Sequence, residues 1–239
     1  MSVLKNKTVV ITGASRGLGR HIAQQLAQAG CRLILLARNR EQLASLQHAL
    51  QQAGHEVDII ACDLGQTDSL KAAIETLLQH PRPIDILINN AGTGWYKEFL
   101  EHSPEEHDQI INTNFRAVVH LTQALLPGML QQESGHIVNI GSDLSQRPLA
   151  KMAVYVASKH ALRGFSRSLL REVKHKGVRV SLVNPGIIDT HFDNSVEGKR
   201  EASWSLRPAD LAQLVVTVLS QPGYQLIDEV DVHPLMQDF

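Results

Sequence analysis

The sequence predicts an α/β protein with a single doubly wound domain, in which a seven-stranded parallel sheet is flanked by helices on both faces. Short apolar runs alternate with longer segments of helical period along all 239 residues. Parallel strands need long crossovers, and helical crossovers cover both faces of such a sheet. No linker, long repeat or low-complexity stretch divides the chain, so we predict one domain over residues 1–239.

Seven apolar runs of strand length are expected to form the sheet. In chain order they are Thr8–Ile11, Leu33–Leu36, Val57–Ala61, Ile84–Ile88, His136–Ile140, Val178–Val183 and Leu226–Val232. The segments of helical period between them are residues 18–29, 43–53, 69–78, 104–126, 153–173 and 209–219. Gly30 and Gly54 suit the positions just after the first two helices.

The fourth helical segment carries a clear start signal. In the run from Ser103 to Glu106, serine is a good N-cap, Pro104 suits the first turn, and Glu106 can complete a capping box. We expect this helix to run to about Leu126 and to end at Pro127 and Gly128.

Acidic and basic side chains nearly cancel, because 23 Lys+Arg and 24 Asp+Glu give a formal net charge of −1. A nucleic-acid binder is expected to show a strong basic excess, so this class is disfavoured. No apolar run approaches the ~20 residues that cross a bilayer. The first residues contain no apolar run long enough for a signal peptide before Gly13. We therefore expect neither a nucleic acid nor a membrane as a partner.

The two cysteines, Cys31 and Cys62, lie in predicted strand regions. A secreted disulfide scaffold needs many more, so we interpret both as small buried apolar side chains in a reducing compartment and expect a cytoplasmic protein. The twelve histidines are scattered, without an H-E-x-x-H motif or paired cysteines, and they indicate no metal site.

A glycine-rich turn follows the first predicted strand, in the run Thr12-Gly13-Ala14-Ser15-Arg16-Gly17-Leu18-Gly19. Gly13 permits a sharp turn, whereas Gly17 and Gly19 allow close approach of the backbone to a ligand and of the helix to the sheet. The free N–H groups at the start of the next helix would bind a pyrophosphate. Because the turn lies between a strand and a helix, it predicts a Rossmann-type dinucleotide site.

The end of the second predicted strand indicates which dinucleotide is preferred. Folds that prefer NAD usually place a carboxylate there to bind the ribose 2′-hydroxyl. Here the strand is followed by Arg38, and no carboxylate appears before Glu41, which is expected inside the helix. Arg38 and Arg16 could instead bind a 2′-phosphate, although two solvated surface arginines are the alternative interpretation. The sequence favours NADP(H) over NAD(H).

Tyr155 and Lys159 are four residues apart, so on a helix their side chains share one face. A phenol with a pKa near ~10 exchanges protons poorly at neutral pH. An adjacent ammonium and the positive nicotinamide of an oxidised cofactor would favour the phenolate, and lowering its pKa by ~2–3 units requires ~3–4 kcal/mol. Taken alone the pair has little specificity, and an ordinary amphipathic helix pair is the commoner interpretation.

Several motifs together give a more specific signal, because they occur in a fixed order through the chain. They are Thr12-Gly13 through Gly17 and Gly19, Asp63 after the third strand, Asn89-Asn90-Ala91-Gly92 after the fourth, Asn114, Ser142 after the fifth, Tyr155 with Lys159, and Asn184-Pro185-Gly186 with Thr190 after the sixth. In this order they resemble the short-chain dehydrogenase/reductase family, and the resemblance covers essentially the whole chain.

The resemblance implies an oxidoreductase that interconverts a carbonyl and an alcohol. In it, Tyr155 would be the general acid/base, Ser142 would bind the carbonyl oxygen, and Lys159 would hold the nicotinamide ribose and lower the Tyr155 pKa. Asn114 would position a water that relays protons. Other residues implied to contact the cofactor are Ser15, Leu18, Asp63 at the adenine, Leu64, Asn90, Ala91, Gly92, Pro185, Gly186, and Ile188 and Thr190 at the carboxamide.

The substrate is expected beyond the carboxyl ends of the strands, near residues 93–97, 143–149 and 187–206. The last stretch, with Phe192, Val196 and Trp204, could form a lid. With Trp95 and Tyr96 nearby, an apolar pocket or incidental surface aromatics are both open interpretations.

The resemblance is divided between two groups of the family. The central part is similar to 3-oxoacyl-acyl-carrier-protein reductases, but the ending from Ile227 to Pro234 is more similar to 3-hydroxy acid and serine dehydrogenases. Family resemblance also implies a homo-oligomer, a tetramer or dimer, with interfaces on the helix from Glu105 to Leu126 and on the Tyr155 helix. A dinucleotide-sensing regulator without turnover, or a scaffold protein that kept the fold, remain the alternative functions.

Overall fold

The computed structural model describes residues 3–192, 196–201 and 203–238. Within them seven strands form one parallel sheet. They are β1 (Thr8–Thr12), β2 (Arg32–Ala37), β3 (Val57–Ala61), β4 (Ile86–Asn89), β5 (Gly135–Ile140), β6 (Val178–Pro185) and β7 (Glu229–Val232). The strand order β3-β2-β1-β4-β5-β6-β7 confirms the predicted α/β fold.

The helices alternate with the strands as predicted. They are α1 (Gly17–Gln28), α2 (Arg40–Gln52), α3 (Thr67–Leu78), α4 (Pro104–Ile111), α5 (Ala117–Gln131), α6 (Ala153–Val173) and α7 (Pro208–Leu219). Gly30 and Gly54 follow the first two helices with φ of 86° each, the left-handed conformation that glycine adopts without a steric penalty. Both predicted helix stops are confirmed.

Helices cover both faces of the sheet and bury a separate apolar cluster on each. On one face α1, α2 and α7 pack on the strands through fully buried side chains such as Ile22, Leu43 and Val215. On the other, α3, α5 and α6 pack through Leu70, Leu121 and Leu169 among others. The strand order reverses between β1 and β4: β2 and β3 lie on one side of β1, and β4 to β7 lie on the other. In doubly wound sheets, ligands bind at the carboxyl ends of the strands at such a switch point.

The expectation of one continuous helix ending at Leu126 is wrong in two respects. A π-helical turn, Asn112–Arg116, separates α4 from α5, and α5 continues through Pro127 to Gln131. Proline removes the hydrogen bond to the carbonyl four residues earlier, that of Gln123. Pro127 and Gln123 are both exposed, so water can hydrate that carbonyl, while the fully buried Met129 holds the last turn against the core.

The seventh strand is shorter than predicted, because β7 begins at Glu229 and not at Leu226. The carbonyl of Ile227 accepts the Ser181 hydroxyl at 2.6 Å, and the Asp228 side chain caps the Glu229 N–H at 3.0 Å. The Leu182 N–H still donates to the Asp228 carbonyl at 2.9 Å, so the backbone of β6 is paired up to the residue before β7. The fourth strand is also displaced, to Ile86–Asn89, and thus includes the first asparagine of its terminal motif.

Three further expectations concern buried surfaces. Cys31 and Cys62 are free thiols buried just outside β2 and β3, and burial raises the pKa of Cys31 to about 12, so they are apolar packing residues as predicted. On α6, the Tyr155 helix implied to form an interface, the apolar Leu162 and Leu169 pack inside the chain, whereas Ala157 is exposed. In the described ranges, each helix is too short or too polar to cross a bilayer.

Candidate active site

A cavity of about 780 Å³ lies at the carboxyl end of the sheet, above the switch point. Its volume suits a ligand of dinucleotide size together with a small substrate. The turns after β1 to β6 all contribute to its lining, as expected for a doubly wound sheet. This cavity contains most of the residues that the sequence predicts for the site.

The glycine-rich turn forms one wall of the cavity, with Gly13, Ser15, Arg16, Leu18 and Gly19 along it. Two of its glycines lie in close contact with other parts of the chain. Gly17 has a φ of 53°, and a Cβ there would lie 2.3 Å from Thr190 Oγ1. At Gly19 a Cβ would lie 2.3 Å from the carbonyl oxygen of Gly13. A larger residue at either position would displace backbone or the Thr190 segment.

Asn90 fixes the end of β4 to the glycine-rich turn. Its Nδ2 donates to the carbonyl of Thr12 at 2.8 Å, and its own N–H and that of Ala91 donate to Thr12 Oγ1 at 3.0 Å each. Asn90, Ala91 and Gly92 all line the cavity. This network holds two cavity walls together and places the Asn90 motif beside the turn, as expected.

The end of β2 meets the same cavity with basic and amide side chains. Arg38, Asn39 and Gln42 line it together with Arg16, and both arginines are exposed. Asn39 caps α2 by accepting the Gln42 N–H at 2.9 Å, which fixes where the helix begins. Glu41 does not line the cavity, so this end of the cavity presents positive charge without that carboxylate.

Asp63 and Leu64 line the cavity at the end of β3. The Asp63 carboxylate accepts the Gly65 N–H at 3.0 Å, and its own N–H donates to Ser69 Oγ at 2.9 Å. The turn after β3 is therefore held in one conformation by its own side chains. On the other side, after β6, the lining residues are Pro185, Gly186, Ile187, Ile188 and Thr190.

Tyr155 and Ser142 meet in the cavity and are hydrogen-bonded to each other. Burial raises the pKa of the Tyr155 phenol to about 12; the hydrogen bond with Ser142 lowers it, and the negative charge of Asp143 raises it further. Ser142 Oγ also accepts the Leu144 N–H at 3.1 Å and donates to Asp143 Oδ1 at 3.0 Å.

Lys159 lies one helical turn from Tyr155 and is almost fully buried. Its Nζ donates to the carbonyl of Ile140 at 2.8 Å and lies 5.6 Å from the centroid of the Tyr155 ring. Burial lowers the pKa of Lys159 to about 8. The expected lowering of the Tyr155 pKa by Lys159 is therefore not found in the chain itself: burial of the phenol raises the pKa, and of its neighbours only Ser142 lowers it.

Asn114 lies in the π-helical turn and is 1% exposed, behind the cavity wall. Its Oδ1 accepts the Thr93 N–H at 2.8 Å, and its Nδ2 donates to the Thr93 carbonyl at 2.9 Å and to Ser158 Oγ at 3.1 Å. A Cβ on Gly92 would lie 3.7 Å from Asn114 Oδ1 and 3.8 Å from Lys159 Nζ. Asn114 thus supports the Thr93 backbone close to the lysine.

The aromatic side chains expected at the substrate end divide into two sets. Phe192 and Tyr96 line the cavity, and the Phe192 ring meets the Tyr155 ring edge-on at 5.3 Å. Trp95 instead lines a separate cleft of about 30 Å³, and Trp204 is 46% exposed outside both. Of these aromatic side chains, Tyr96 and Phe192 therefore belong to the main cavity and Trp95 and Trp204 do not. Residues 193–195 and 202 of the proposed lid stretch lie outside the described residues.

Several cavity residues were not identified from the sequence. Those are Gln42, Cys62, Gln109, Thr113, Ile140, Gly141 and Met152. Gln237, near the C-terminus, was also missed although it donates to Asp143 Oδ2 at 2.6 Å. Only the tertiary fold brings the C-terminal segment and the π-helical turn here, so no local pattern signals them. Among the described residues, no group of three or more His, Cys, Asp or Glu side chains could hold a metal ion.

Comparisons with known proteins agree with this geometry. The model of the short chain dehydrogenase family matches residues 7–201. An uncharacterized oxidoreductase of Staphylococcus epidermidis is 32% identical over 236 residues, covering 98% of this chain and all of the relative.

Two solved structures superimpose over nearly the whole chain. An alcohol dehydrogenase from the archaeon Thermococcus sibiricus, complexed with 5-hydroxy-NADP, is 31% identical with a TM-score of 0.91 and covers 98% of this chain and 99% of its own. A serine dehydrogenase complexed with NADP⁺ is 31% identical with a TM-score of 0.87, at 97% and 96% coverage. The chain therefore belongs to the short-chain dehydrogenase family of oxidoreductases.

Proposed function

We propose that this protein is an NADP(H)-dependent oxidoreductase that interconverts a ketone or aldehyde and the corresponding alcohol, with Tyr155 as the general acid/base. The observation that carries the proposal is the convergence of Tyr155, Ser142 and Lys159 on one cavity whose other end is the glycine-rich turn. A dinucleotide and a small substrate can thus share one continuous space. When bound, the nicotinamide supplies or accepts the hydride.

The residues around the cavity fit a dinucleotide. Gly17 and Gly19 let the start of α1 pack against Thr190 and Gly13 without a side chain between them, so its backbone N–H groups lie at the glycine-rich wall of the cavity. Arg16 and Arg38 would bind a ribose 2′-phosphate, since Glu41 is absent from that end of the lining. The NADP-type ligands in the two solved relatives support this choice.

The remaining cofactor contacts are proposed by position. Asp63 and Leu64 would flank the adenine end, while Asn90, Ala91 and Gly92 would contact the ribose through their backbone. At the carboxamide end, the cavity wall is formed by Pro185, Gly186, Ile188 and Thr190, together with Ser15 and Leu18 of the turn.

Tyr155 is well suited to donate a proton when a carbonyl is reduced. With its pKa raised to about 12, the phenol is fully protonated at neutral pH and can protonate an alkoxide, which is a stronger base. Ser142 Oγ, hydrogen-bonded to the phenol, can donate a second hydrogen bond to the developing oxyanion. The two hydroxyl groups would thus bind the carbonyl oxygen that accepts the proton.

Lys159 and Asn114 would return a proton to Tyr155. The Lys159 ammonium is held in place by the Ile140 carbonyl, and its lowered pKa of about 8 allows proton release near neutral pH. Asn114 holds the Thr93 backbone beside this ammonium. A water between Asn114 and Lys159 would connect the buried ammonium to solvent.

The test is a panel of ketones, 3-oxoesters and quinones, with oxidation of NADPH followed by absorbance. Tyr155→Phe is expected to abolish reduction and to leave the NADPH affinity within a few-fold, because the phenol oxygen moves the proton but does not hold the cofactor. Tyr224→Phe is the matched control, since Tyr224 is 92% exposed. Turnover retained by Tyr155→Phe would refute the acid role.

The same panel separates the enzyme from a dinucleotide-sensing regulator. A regulator would bind NADPH, which raises the melting temperature by mass action, and would oxidise it with no carbonyl in the panel. A scaffold protein would show no thermal stabilisation by NADPH at all. Turnover of any carbonyl that depends on Tyr155 excludes both.

A further inference from the structure

We propose that Asp143 and Gln237 are positioning residues of this site: Gln237, from the C-terminal segment, holds the Asp143 carboxylate on the Ser142 hydroxyl and so sets where the Ser142 proton lies. The inference rests on the proposed function and adds two residues to its proton-handling groups. It also gives a role to the chain ending, which departs from that of 3-oxoacyl reductases.

The contacts form one chain through the site. Ser142 Oγ donates to Asp143 Oδ1 at 3.0 Å, and Gln237 Nε2 donates to Asp143 Oδ2 at 2.6 Å. Gln237 Oε1 in turn accepts the Ile187 N–H at 2.9 Å. Both Asp143 and Gln237 are 8% exposed. A buried glutamine with its donor and its acceptor both engaged has one orientation, so it fixes both of its neighbours.

Close packing leaves Gln237 no alternative position. A Cβ on Gly186 would lie 2.2 Å from Gln237 Oε1, so the glutamine lies directly on the backbone after β6. Pro185 and Gly186 line the cavity there. The C-terminal segment therefore connects the backbone after β6, proposed for the carboxamide end, to Asp143 beside Ser142 after the neighbouring strand β5.

The orientation of the Ser142 hydroxyl decides what Ser142 can do. While its hydrogen points to Asp143, Ser142 Oγ can only accept, and it accepts the Leu144 N–H. To donate to a substrate oxygen, the hydroxyl must turn away from Asp143. The carboxylate thus holds the Ser142 hydrogen until a carbonyl oxygen or the Tyr155 oxygen competes for it.

The Asp143 charge also acts on the phenol, whose pKa it raises. Arg147 forms an ion pair with Asp143 and partly offsets this effect. Lys159 Nζ lies 5.6 Å from the centre of the Tyr155 ring, and Tyr96, His191 and Arg200 line the same cavity. Lys97, His102 and Lys151 line the smaller cleft on which Tyr155 also borders. A neutral residue at 143 should therefore make the phenol more acidic.

Gln237→Glu tests the donor while keeping the shape of the side chain. The carboxyl group that this change introduces can donate to Asp143 as the amide does while it is protonated, whereas its ionised form repels Asp143. We expect kcat relative to the unaltered protein to fall about tenfold between about pH 5.5 and about pH 8.5, the loss typical of one hydrogen bond to a charged group. The KM for NADPH should change less than about threefold.

Gln146→Glu is the matched control. Gln146 Nε2 donates to Asp231 Oδ1 at 2.8 Å on the exposed surface, so it has the same donor and acceptor chemistry away from Ser142. The kcat of Gln146→Glu relative to that of the unaltered protein should not change with pH. A pH-independent loss in Gln237→Glu, equal at both ends of the range, would mean that Gln237 only packs the chain ending, and would overturn the proposal.

Asp143→Asn gives a second readout that needs neither turnover nor cofactor. The phenolate of Tyr155 is followed by ultraviolet absorbance after a rapid pH jump, as the difference from the same protein carrying Tyr155→Phe. Asp143→Asn should lower the midpoint of the Tyr155 titration by at least about half a pH unit, and Gln237→Glu should raise that midpoint. Unchanged midpoints would overturn the proposal even in an active enzyme, whereas a carbonyl panel without turnover refutes only the proposed reaction.

Discussion

The buried ammonium of Lys159 should lower the free energy of unfolding of the cofactor-free protein, and removing this charge should raise it. Burial lowers the pKa of Lys159 from 10.5 to about 8, and each unit corresponds to about 1.4 kcal/mol. The gross penalty for keeping this ammonium buried is therefore about 3 kcal/mol. Replacing the side chain also removes its hydrogen bond to the Ile140 carbonyl, and this loss reduces the expected gain in stability by about 1 to 1.5 kcal/mol.

Lys159→Met keeps an unbranched side chain and removes the charge. At about pH 6 to 7 we expect its free energy of unfolding to exceed that of the unaltered protein by about 2 kcal/mol. The native lysine loses its proton near pH 8, whereas the unfolded lysine keeps it up to about 10.5, so the unaltered protein gains stability over this window. Above it, the variant should be the less stable by the lost hydrogen bond.

Urea denaturation of both proteins, freed of cofactor, at intervals from about pH 6 to about pH 10 measures this difference. Lys71→Met is the control, because Lys71 is exposed on α3 and should give a small difference without a trend. If Lys159→Met is destabilised by the same amount across the whole range, the lysine carries no burial penalty and this reasoning fails.

Three other changes follow from single contacts. Arg38→Asp should shift the preference from NADPH toward NADH, seen as the ratio of kcat/KM values for the two cofactors; an unchanged ratio removes Arg38 from the 2′-phosphate site. Gly17→Val should weaken NADPH binding at least about tenfold, measured by calorimetry, because its Cβ would lie 2.3 Å from Thr190 Oγ1; unaltered binding would contradict the close approach. His136→Gln should abolish an acid instability: burial lowers the pKa of His136 to about 3, so the unfolded chain takes up the proton first, and the unaltered protein should lose about 3 kcal/mol relative to the variant between about pH 6.5 and about pH 4 in urea titrations. A parallel decline in both proteins would refute it.

The local parts of the fold and site could be predicted from the sequence because their signals are local. The glycine-rich turn needs Gly17 and Gly19 for contacts within about one turn of chain or with a neighbouring loop. Strand runs and helix stops such as Gly30 likewise depend on nearby residues. In these features the residue type itself indicates the backbone conformation, so their positions can be predicted from residue type and spacing.

Other parts depend on contacts between distant residues. Pro127 is a helix stop by its own chemistry, but the burial of Met129 and the hydration of an exposed carbonyl allow the helix to continue. The π-helical turn has no composition signal; it places Asn114 against Thr93 through hydrogen bonds that span 21 residues. Gln237 is separated from Asp143 by 94 residues. Such positions follow from the fold and not from any spacing.

At the reactive end of the cavity, key side chains are hydrogen-bonded to backbone groups at or after the ends of different strands. This explains why a residue there can lower the stability of the protein and still be fixed in place. Lys159 binds the last carbonyl of β5, Asn114 binds both backbone groups of Thr93 after β4, and Gln237 binds the Ile187 N–H after β6. Those carbonyls and N–H groups lie at or shortly after the ends of β4, β5 and β6, whose residues are nearly all buried, so the parallel sheet sets their positions. A side chain that loses such a partner becomes a buried unsatisfied group, so each residue is tied to its place by the sheet itself. Stabilising changes at this end, such as removal of the Lys159 charge, should therefore cost activity, whereas equal gains in the apolar clusters under α3 or α7 should not.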